Sequence, residues 1–462
     1  YGDWSSDVCS SDLKPALVSL QKYPFLNASL STSLAEQLIT GGELPAAAAA
    51  LTQARSAVGR HEMASGANGG RLSFQTARAN FRTGDLRSGT TALNTALNYQ
   101  RSASKRLFQI TLTDAGFRAG NFTERIADQI FGDVLREPTR SDWTTEPLDT
   151  LAALSTPHPL PYEHWFELVF SRKEVEKSIN IAERIRRHRF LTTQQLGGRL
   201  LALRWVLEGP AASLPQDALL QRQDMLVKYP KFAELSRRSQ EVRAKLQDLP
   251  LAPTAEPQVR EQHELLTELT RISSAQETML QMLALERQPA EMAFPPLRDT
   301  KELQEQLPAG TIVFYYFITS RNVYAFAVAK DHYAYFTLSQ PAKVKSDIAD
   351  LLRQMGNHDR TQPVASDDLK ANGWRPAAQR LLTQLTNEAK TNEWARYQEL
   401  VIVPDGVLWY LPFEALPAPA EYGLAPLISQ VAVRYAPTLS LAVGDRRQIR
   451  PRSEEHTSEL QS

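Results

Sequence analysis

Residues 400–417 read LVIVPDGVLWYLPFEALP, and this stretch decides how the C-terminal part of the chain folds. Residues 400–403 form a short apolar run, which is typical of a strand buried on both faces. Asp405 and Gly406 follow directly and predict a tight turn, because glycine tolerates positive φ. Phe413 and Leu416 have helical spacing, so we expect both to pack back on the sheet.

Three β-branched and aromatic runs precede this strand, at residues 311–318, 323–329 and 333–338. Short polar turns separate them, so they predict an antiparallel meander. Helical patterns follow at residues 343–355 and 376–390, before the strand at 400–403. Strands that alternate with helices in this way indicate an α/β domain.

The segment 400–417 and the later run VAVRYAPTLSL, residues 431–441, resemble the CHAT domain, a caspase-like family that is similar to separases and commonly follows tetratricopeptide repeats. The resemblance covers residues 310–451 and implies the N-terminal half of an α/β caspase-like domain. It also implies a histidine and a cysteine thiolate that attacks a peptide carbonyl, and both follow later strands in the family. We therefore predict no catalytic, cofactor-binding or metal-binding residue in this chain. The family motif residues, for which we expect structural roles, are Pro404, Asp405, Gly406, Pro412, Phe413, Glu414, Tyr435, Pro437 and Ser440.

Two structural expectations follow for this half-domain. Glu414 is expected to cap a helix or form a surface salt bridge rather than orient a catalytic group. The strand at 400–403 is expected to lie at an open sheet edge, since its flanking strands come later in the family.

Residues 14–288 have a helical pattern, with Leu, Ala, Arg, Glu and Gln at three- and four-residue spacing. Aligning Gly42 with Gly84 matches apolar, acidic and alanine positions around both glycines, so one unit is repeated. The pattern resembles tetratricopeptide repeats, in which a turn glycine ends the first helix and small residues let the second pack closely. We predict an all-α, tetratricopeptide-like solenoid that binds a protein or peptide, with a purely structural spacer as the alternative.

A third, weaker copy of the unit is predicted at residues 165–187. The basic run RIRRHR at 184–189 follows several glutamates, so we interpret it as a solvated helix face with i,i+4 ion pairs rather than a nucleic-acid surface. Prolines predict a break between helices at 249–257 and a domain linker at 289–309.

Both ends of the chain resemble translated sequencing adapters. Residues 3–13 read DWSSDVCSSDL and residues 452–462 read RSEEHTSELQS, strings that back-translate to opposite strands of one adapter. We therefore expect residues 1–13 and 452–462 to be disordered, and the native part to be a truncated fragment. The single cysteine, Cys9, lies in the first string, so the native part offers no disulfide, zinc cluster or thiol nucleophile.

Composition limits the partners. Lys+Arg and Asp+Glu are both 52, which leaves no basic field for nucleic acid, and no apolar run reaches the ~18 residues that span a membrane. Localisation stays unknown, with the cytoplasm favoured by the lack of native cysteine. The parent protein is expected to be a cysteine endopeptidase or, alternatively, a non-catalytic interaction scaffold, and the fragment itself inactive. Surface or structural roles are expected for the native histidines, His61, His158, His164, His188, His263, His332 and His358.

Overall fold

A computed structural model describes residues 22–59, 62–211, 214, 216–285, 295–356, 373–386, 397–418 and 425–443. Cys9 and both adapter-like segments lie outside these residues. The described chain forms two compact units. The first holds residues 22–121, 129–157 and 188–285, and the second holds residues 122–128, 158–187 and 295–443.

The described residues between 22 and 285 are mostly helical, as the sequence predicts, and the predicted break at 249–257 covers most of the gap between two helices, Pro230–Gln247 and Glu256–Leu285. The helices that precede the first strand, α1 to α16 in order, span Pro24–Gly41, Leu44–Val58, Glu62–Ser65, Ala67–Thr83, Leu86–Ala103, Lys105–Arg118, Glu124–Val134, Arg140–Thr145, Pro147–Ser155, Pro159–Ser171, Val175–Thr193, Arg199–Glu208, Gln216–Lys228, Pro230–Gln247, Glu256–Leu285 and Thr300–Gln306. The last of these lies within the predicted linker at 289–309.

The repeat seen in the sequence corresponds to two helical hairpins with the same turn. Gly42 ends α1 at φ 83° and Gly84 ends α4 at φ 85°. In each turn the glycine N–H and the following acidic residue's N–H bond back to carbonyls of the preceding helix, the arrangement of a Schellman motif. Positive φ at both glycines explains why the sequence repeats this residue. The assignment to tetratricopeptide repeats stays a prediction.

Small residues are required where the second helix of each hairpin meets the first. Ala47 is fully buried, and Gly89 occupies the equivalent position in the second hairpin. A Cβ atom on Gly89 would lie 2.7 Å from the ring of Phe81, closer than real Cβ contacts allow. Close helix packing therefore selects the smallest residue there.

The predicted third copy is also a helical hairpin, formed by α10 and α11. Lys173 takes the place of the turn glycine, with φ 62°, and its N–H bonds to the Phe170 carbonyl at 2.9 Å. Ser178, five residues on, is fully buried like Ala47. The hairpin belongs to the second unit up to residue 187, where it contacts the sheet.

The sheet has five strands in the order β3-β2-β1-β4-β5, and the predicted meander β1-β2-β3 is antiparallel. Strand β4 pairs in parallel with β1 on one side and with β5 on the other. The expected open edge beside residues 400–403 is therefore wrong, because β5 from the motif run 431–441 fills that side. The strands are Thr311–Ile318, Val323–Ala329, Tyr333–Thr337, Glu399–Val403 and Ala432–Tyr435.

One face of the sheet packs on two helices, α17 at Pro341–Gln354 and α18 at Trp374–Leu385. Phe314 and Tyr316 of β1 share a buried core with Ile348 of α17 and Leu381 of α18. Phe413 and Leu416 also lie in this core, which confirms that the segment after Pro412 packs back on the sheet.

The opposite face packs on α10 and α11. Phe166 of α10 lies with its ring centroid 4.6 Å from that of Phe317 and 4.9 Å from that of Tyr324. Phe170 contacts Tyr324 and Tyr335 in edge-to-face geometry. The second unit is therefore a sheet covered by helices on both faces, and its second layer comes from a hairpin far upstream in sequence.

This packing corrects the interpretation of the basic run. Glu183, Arg186 and Arg187 are exposed by only 2%, 9% and 5%. The prediction of a solvated face is wrong for these residues, because this side of α11 lies against the sheet.

Candidate functional site at the carboxyl ends of the parallel strands

Strands β1, β4 and β5 run parallel, so their carboxyl ends meet at one edge of the sheet, here called the carboxyl edge. This is the edge at which open α/β sheets place their ligands and reactive groups. The segments that leave β4 and β5 at this edge, residues 404–406 and 436–440, carry most of the family motif.

Asp405 joins two neighbouring strands at this edge. Its Oδ2 accepts the backbone N–H of Ile318, the last residue of β1, at 2.8 Å. Gly406 follows with φ 51° and begins a short 3₁₀ helix, Gly406–Tyr410, which confirms the predicted tight turn. Asp405 thus hydrogen-bonds to an amide at the end of the neighbouring strand.

Tyr435 links the second half of the motif to the first. Its hydroxyl accepts the backbone N–H of Phe413 at 2.9 Å and donates to the carboxylate of Glu414. Burial, together with the Glu414 carboxylate, raises the pKa of Tyr435, so the phenol stays protonated. The contact differs from the helix cap or surface salt bridge expected for Glu414. Pro412 precedes this short 3₁₀ turn at Phe413–Ala415.

Arg186 reaches the same edge from α11. Its Nη1 donates to the carbonyl oxygens of Pro404 at 2.8 Å and Pro437 at 2.9 Å, and its Nη2 donates to Tyr316 O in β1. Its guanidinium carbon lies 4.7 Å from the ring centroid of Tyr315. One side chain therefore contacts backbone from β1, from the segment after β4 and from the segment after β5.

Glu183, one helical turn before Arg186, holds the start of a short helix, α19 at Leu439–Ala442. Its two carboxylate oxygens accept the backbone N–H groups of Leu439 and Ser440, each at 3.1 Å. The Ser440 hydroxyl in turn accepts the N–H of Arg298 at 3.1 Å. The motif residues Pro437 and Ser440 are thus contacted through their backbone by α11.

These buried groups alter one another's ionisation. Burial raises the pKa of Glu183, although Arg186 and the two amides oppose the shift. Burial disfavours the charged form of Arg186, but Tyr315, Asp405 and Glu183 offset it and raise the pKa of Arg186. Burial likewise raises the pKa of Tyr315 well above its usual range. Arg186 is thus the cation that compensates the carboxylates at this edge.

The charged side chains described at this edge bond to backbone amides and carbonyls. The one cysteine in the chain, Cys9, lies outside the described residues. His332 lies at the opposite edge, in the turn after β2, where Nδ1 is 2.7 Å from Asp331 Oδ1 and Nε2 is 3.1 Å from the Tyr397 hydroxyl. That no residue of the chain is catalytic stays a prediction.

The described residues hold no cluster of three or more His, Cys, Asp or Glu side chains that could bind a metal ion. Within the same ranges, no helix combines the length and apolar character that a bilayer crossing requires.

The sequence pointed to both halves of the motif but missed Glu183 and Arg186. The sequence offered one indication of their burial. Their i,i+3 spacing puts them on one helix face, in a stretch that also holds the buried small residues Ser178 and Ala182. Charged residues of this density are usually solvated, so the pattern favoured the wrong face.

A model of the CHAT domain, a caspase-like family, matches residues 375–459. The match contains α18 from its second residue onward, β4, β5 and the whole motif from Pro404 to Ser440, while β1 to β3 and the hairpin α10–α11 lie outside it. No curated protein matches the chain.

Proposed function

We propose that the second unit is the framework of a caspase-like cysteine endopeptidase of the CHAT type. The match of residues 375–459 to the CHAT domain is the observation that carries this proposal. The parallel order of β1, β4 and β5 supports it, because it brings the motif segments to the edge where α/β enzymes hold their reactive groups. A histidine and a cysteine beyond the motif would complete the site.

In this proposal the chain as it stands does not cleave peptides. Thiol proteolysis needs a sulfur nucleophile, a base that deprotonates it and donors for the oxyanion. Cys9 is far in sequence from the carboxyl edge and lies in the adapter-like string. The amides of Leu439 and Ser440, which could have served as donors, already bond to Glu183.

The helical unit is proposed to bind a protein or peptide. A groove of about 430 Å³ is lined by Phe74, Tyr99 and Leu148 and also by the charged side chains of Arg71 and Lys105. A neighbouring groove of about 710 Å³ shares Lys105, Glu146 and Asp149 with it. A groove lined by both apolar and charged side chains suits a peptide, which can make apolar and polar contacts in it together.

A cleavage assay tests the catalytic part of the proposal. The purified chain is incubated with a peptide library that covers basic and acidic cleavage sites, beside a Cys9→Ala variant. We expect no cleavage by either protein. Cleavage that disappears in Cys9→Ala would overturn the inactivity of the chain, and cleavage that persists would reveal a catalytic group outside the proposed chemistry.

A binding assay tests the groove. A partner that uses it should lose affinity for a Tyr99→Ala variant and for a Lys105→Glu variant, and should keep its affinity for Lys228→Glu, which changes a lysine of α13. Binding that survives both groove substitutions would place the partner elsewhere.

A further inference from the structure

Two charged side chains of α11 contact the carboxyl edge through opposite kinds of backbone group. Arg186 donates to carbonyl oxygens, and Glu183 accepts from amides of the segment 437–440. The buried Tyr315 hydroxyl also interacts with both side chains. Both side chains are buried, so burying either charge without these partners would cost free energy.

The two contacts act on the segments that leave β4 and β5. The Arg186 Nη1 atom lies 2.8 Å from Pro404 O and 2.9 Å from Pro437 O, so it fixes the distance between the two segments. Glu183 then fixes the direction of the second segment by holding the first amides of α19. A planar guanidinium with several donors can bridge separate carbonyls, whereas a lysine presents a single point charge.

We propose that Glu183 and Arg186 are positioning residues, which set the relative placement of segments 404–406 and 437–440 at the carboxyl edge. The inference rests on the proposed peptidase framework, since the groups that such segments carry would depend on this placement for their reaction geometry. The residues matched by the CHAT family begin at 375, far downstream of α11, so the family match does not include these positioning groups.

The other charged groups that face this pair do not replace it. Asp405 raises the pKa of Arg186 through its charge, while its Oδ2 accepts the Ile318 N–H. Tyr315 stacks against Arg186 and remains protonated, because burial raises its pKa. Removal of the guanidinium would therefore leave the buried carbonyls without their donor and the nearby carboxylates without their compensating cation.

Trp409 provides a local probe, because it lies in the 3₁₀ helix that begins directly after Asp405 and is about half exposed. The chain is labelled with fluorotryptophan, and the Trp409 resonance is assigned by its absence in Trp409→Phe. The variants are Arg186→Met, Arg186→Lys and Glu183→Gln, with Arg184→Met and Glu176→Gln as controls, since both control residues are exposed on the same helix. Amide exchange of the peptide that contains Leu439 and Ser440 is measured in parallel.

We expect Arg186→Met to shift or broaden the Trp409 resonance and to speed amide exchange at 439–440 by about tenfold or more, because a buried charged hydrogen bond is lost. Arg186→Lys should cause a smaller change than Arg186→Met, because it keeps the positive charge. Glu183→Gln should mainly speed amide exchange at 439–440. The controls should match the unchanged chain. If Arg186→Met fails to fold, Glu183→Gln, which keeps the shape and one acceptor, decides the question.

An unchanged Trp409 resonance and unchanged exchange in folded Arg186→Met, or unchanged 439–440 exchange in Glu183→Gln, would overturn the positioning role. The resonance and the exchange rate report the placement of the two segments, and neither measurement requires catalysis. A failure of the proposed peptidase activity would therefore leave its result intact, and the two claims can fail separately.

Discussion

The hydroxyl of Tyr435 lies 2.9 Å from the backbone nitrogen of Phe413 and accepts its N–H, although the two residues are 22 positions apart in the sequence. The same hydroxyl donates to Glu414. We predict that Tyr435→Phe lowers the free energy of unfolding by about 1–3 kcal/mol, because a part-buried amide and a carboxylate lose their partner. Chemical denaturation measures the change. Tyr410→Phe is the control, since Tyr410 is 73% exposed, and an equal loss in both variants would contradict the role of the contact.

A side chain at position 89 is predicted to destabilise the helical unit. Gly89→Ala should destabilise the helical unit by about 1–3 kcal/mol, because the added methyl group overlaps the ring of Phe81. Gly41→Ala is the matched control, since a Cβ there meets no atom within 4 Å and alanine favours helix. Thermal unfolding of both variants gives the comparison. A Gly89→Ala chain as stable as Gly41→Ala would show that the hairpins are not packed this closely.

Phe166 is predicted to stabilise the second unit. Its side chain is fully buried against Phe317 and Tyr324, so Phe166→Ala should cost about 3–5 kcal/mol. Amide exchange of β1 and β4 should speed up in this variant, because the sheet loses part of its second layer. Phe108→Ala, at a site that is 66% exposed, should leave both strands unchanged. Strand exchange that is equal in the two variants would contradict the packing of α10 on the sheet.

Asp142 is predicted to make the helical unit sensitive to acid. Hydrogen bonds from Arg136 and from Thr139, the residue that caps α8, hold the pKa of Asp142 below its ordinary value of 3.8, although burial opposes them. A lowered pKa means that this stabilisation is complete above about pH 3.8 and is lost as pH falls through the lower folded value. Asp142→Asn should therefore cost about 1 kcal/mol near neutral pH, a typical capping contribution, and progressively less in acid.

Thermal unfolding across this pH range measures the difference between the chain and Asp142→Asn. Asp224→Asn, at an exposed aspartate of α13, is the control and should show no such pH-dependent difference. A gap for Asp142→Asn that stays constant or widens below pH 3.8 would show that the carboxylate is not the stabilising group.

Much of this fold follows from local patterns. The run at 400–403 predicts a buried strand because its four residues are apolar. The turns at Gly42, Gly84 and Gly406 are predictable because glycine tolerates positive φ. The antiparallel meander followed from β-branched runs joined by short turns. Each of these features depends on residues that are close together in sequence.

The errors arose where distant segments meet. Strand β5 pairs with the side of β4 that was expected to be open. It has only four residues, one of them charged, so its sequence hardly indicates a strand. Glu183 and Arg186 were assigned to solvent because charged helical runs usually face water, whereas here they satisfy backbone groups more than 200 residues away. The division into domains at residues 288 and 310 stays a prediction.

The measurement that tests the central claim most directly is thiol-dependent cleavage by the product of the gene that encodes this framework. The gene is sequenced without a break from the codon for residue 375 onward, the encoded protein is expressed, and peptide cleavage is assayed before and after thiol alkylation. We predict a histidine and a cysteine downstream of the motif, and cleavage that alkylation or a Cys→Ala substitution abolishes. A gene product without that pair, or cleavage that survives both treatments, would contradict the claim that this sheet belongs to a cysteine endopeptidase.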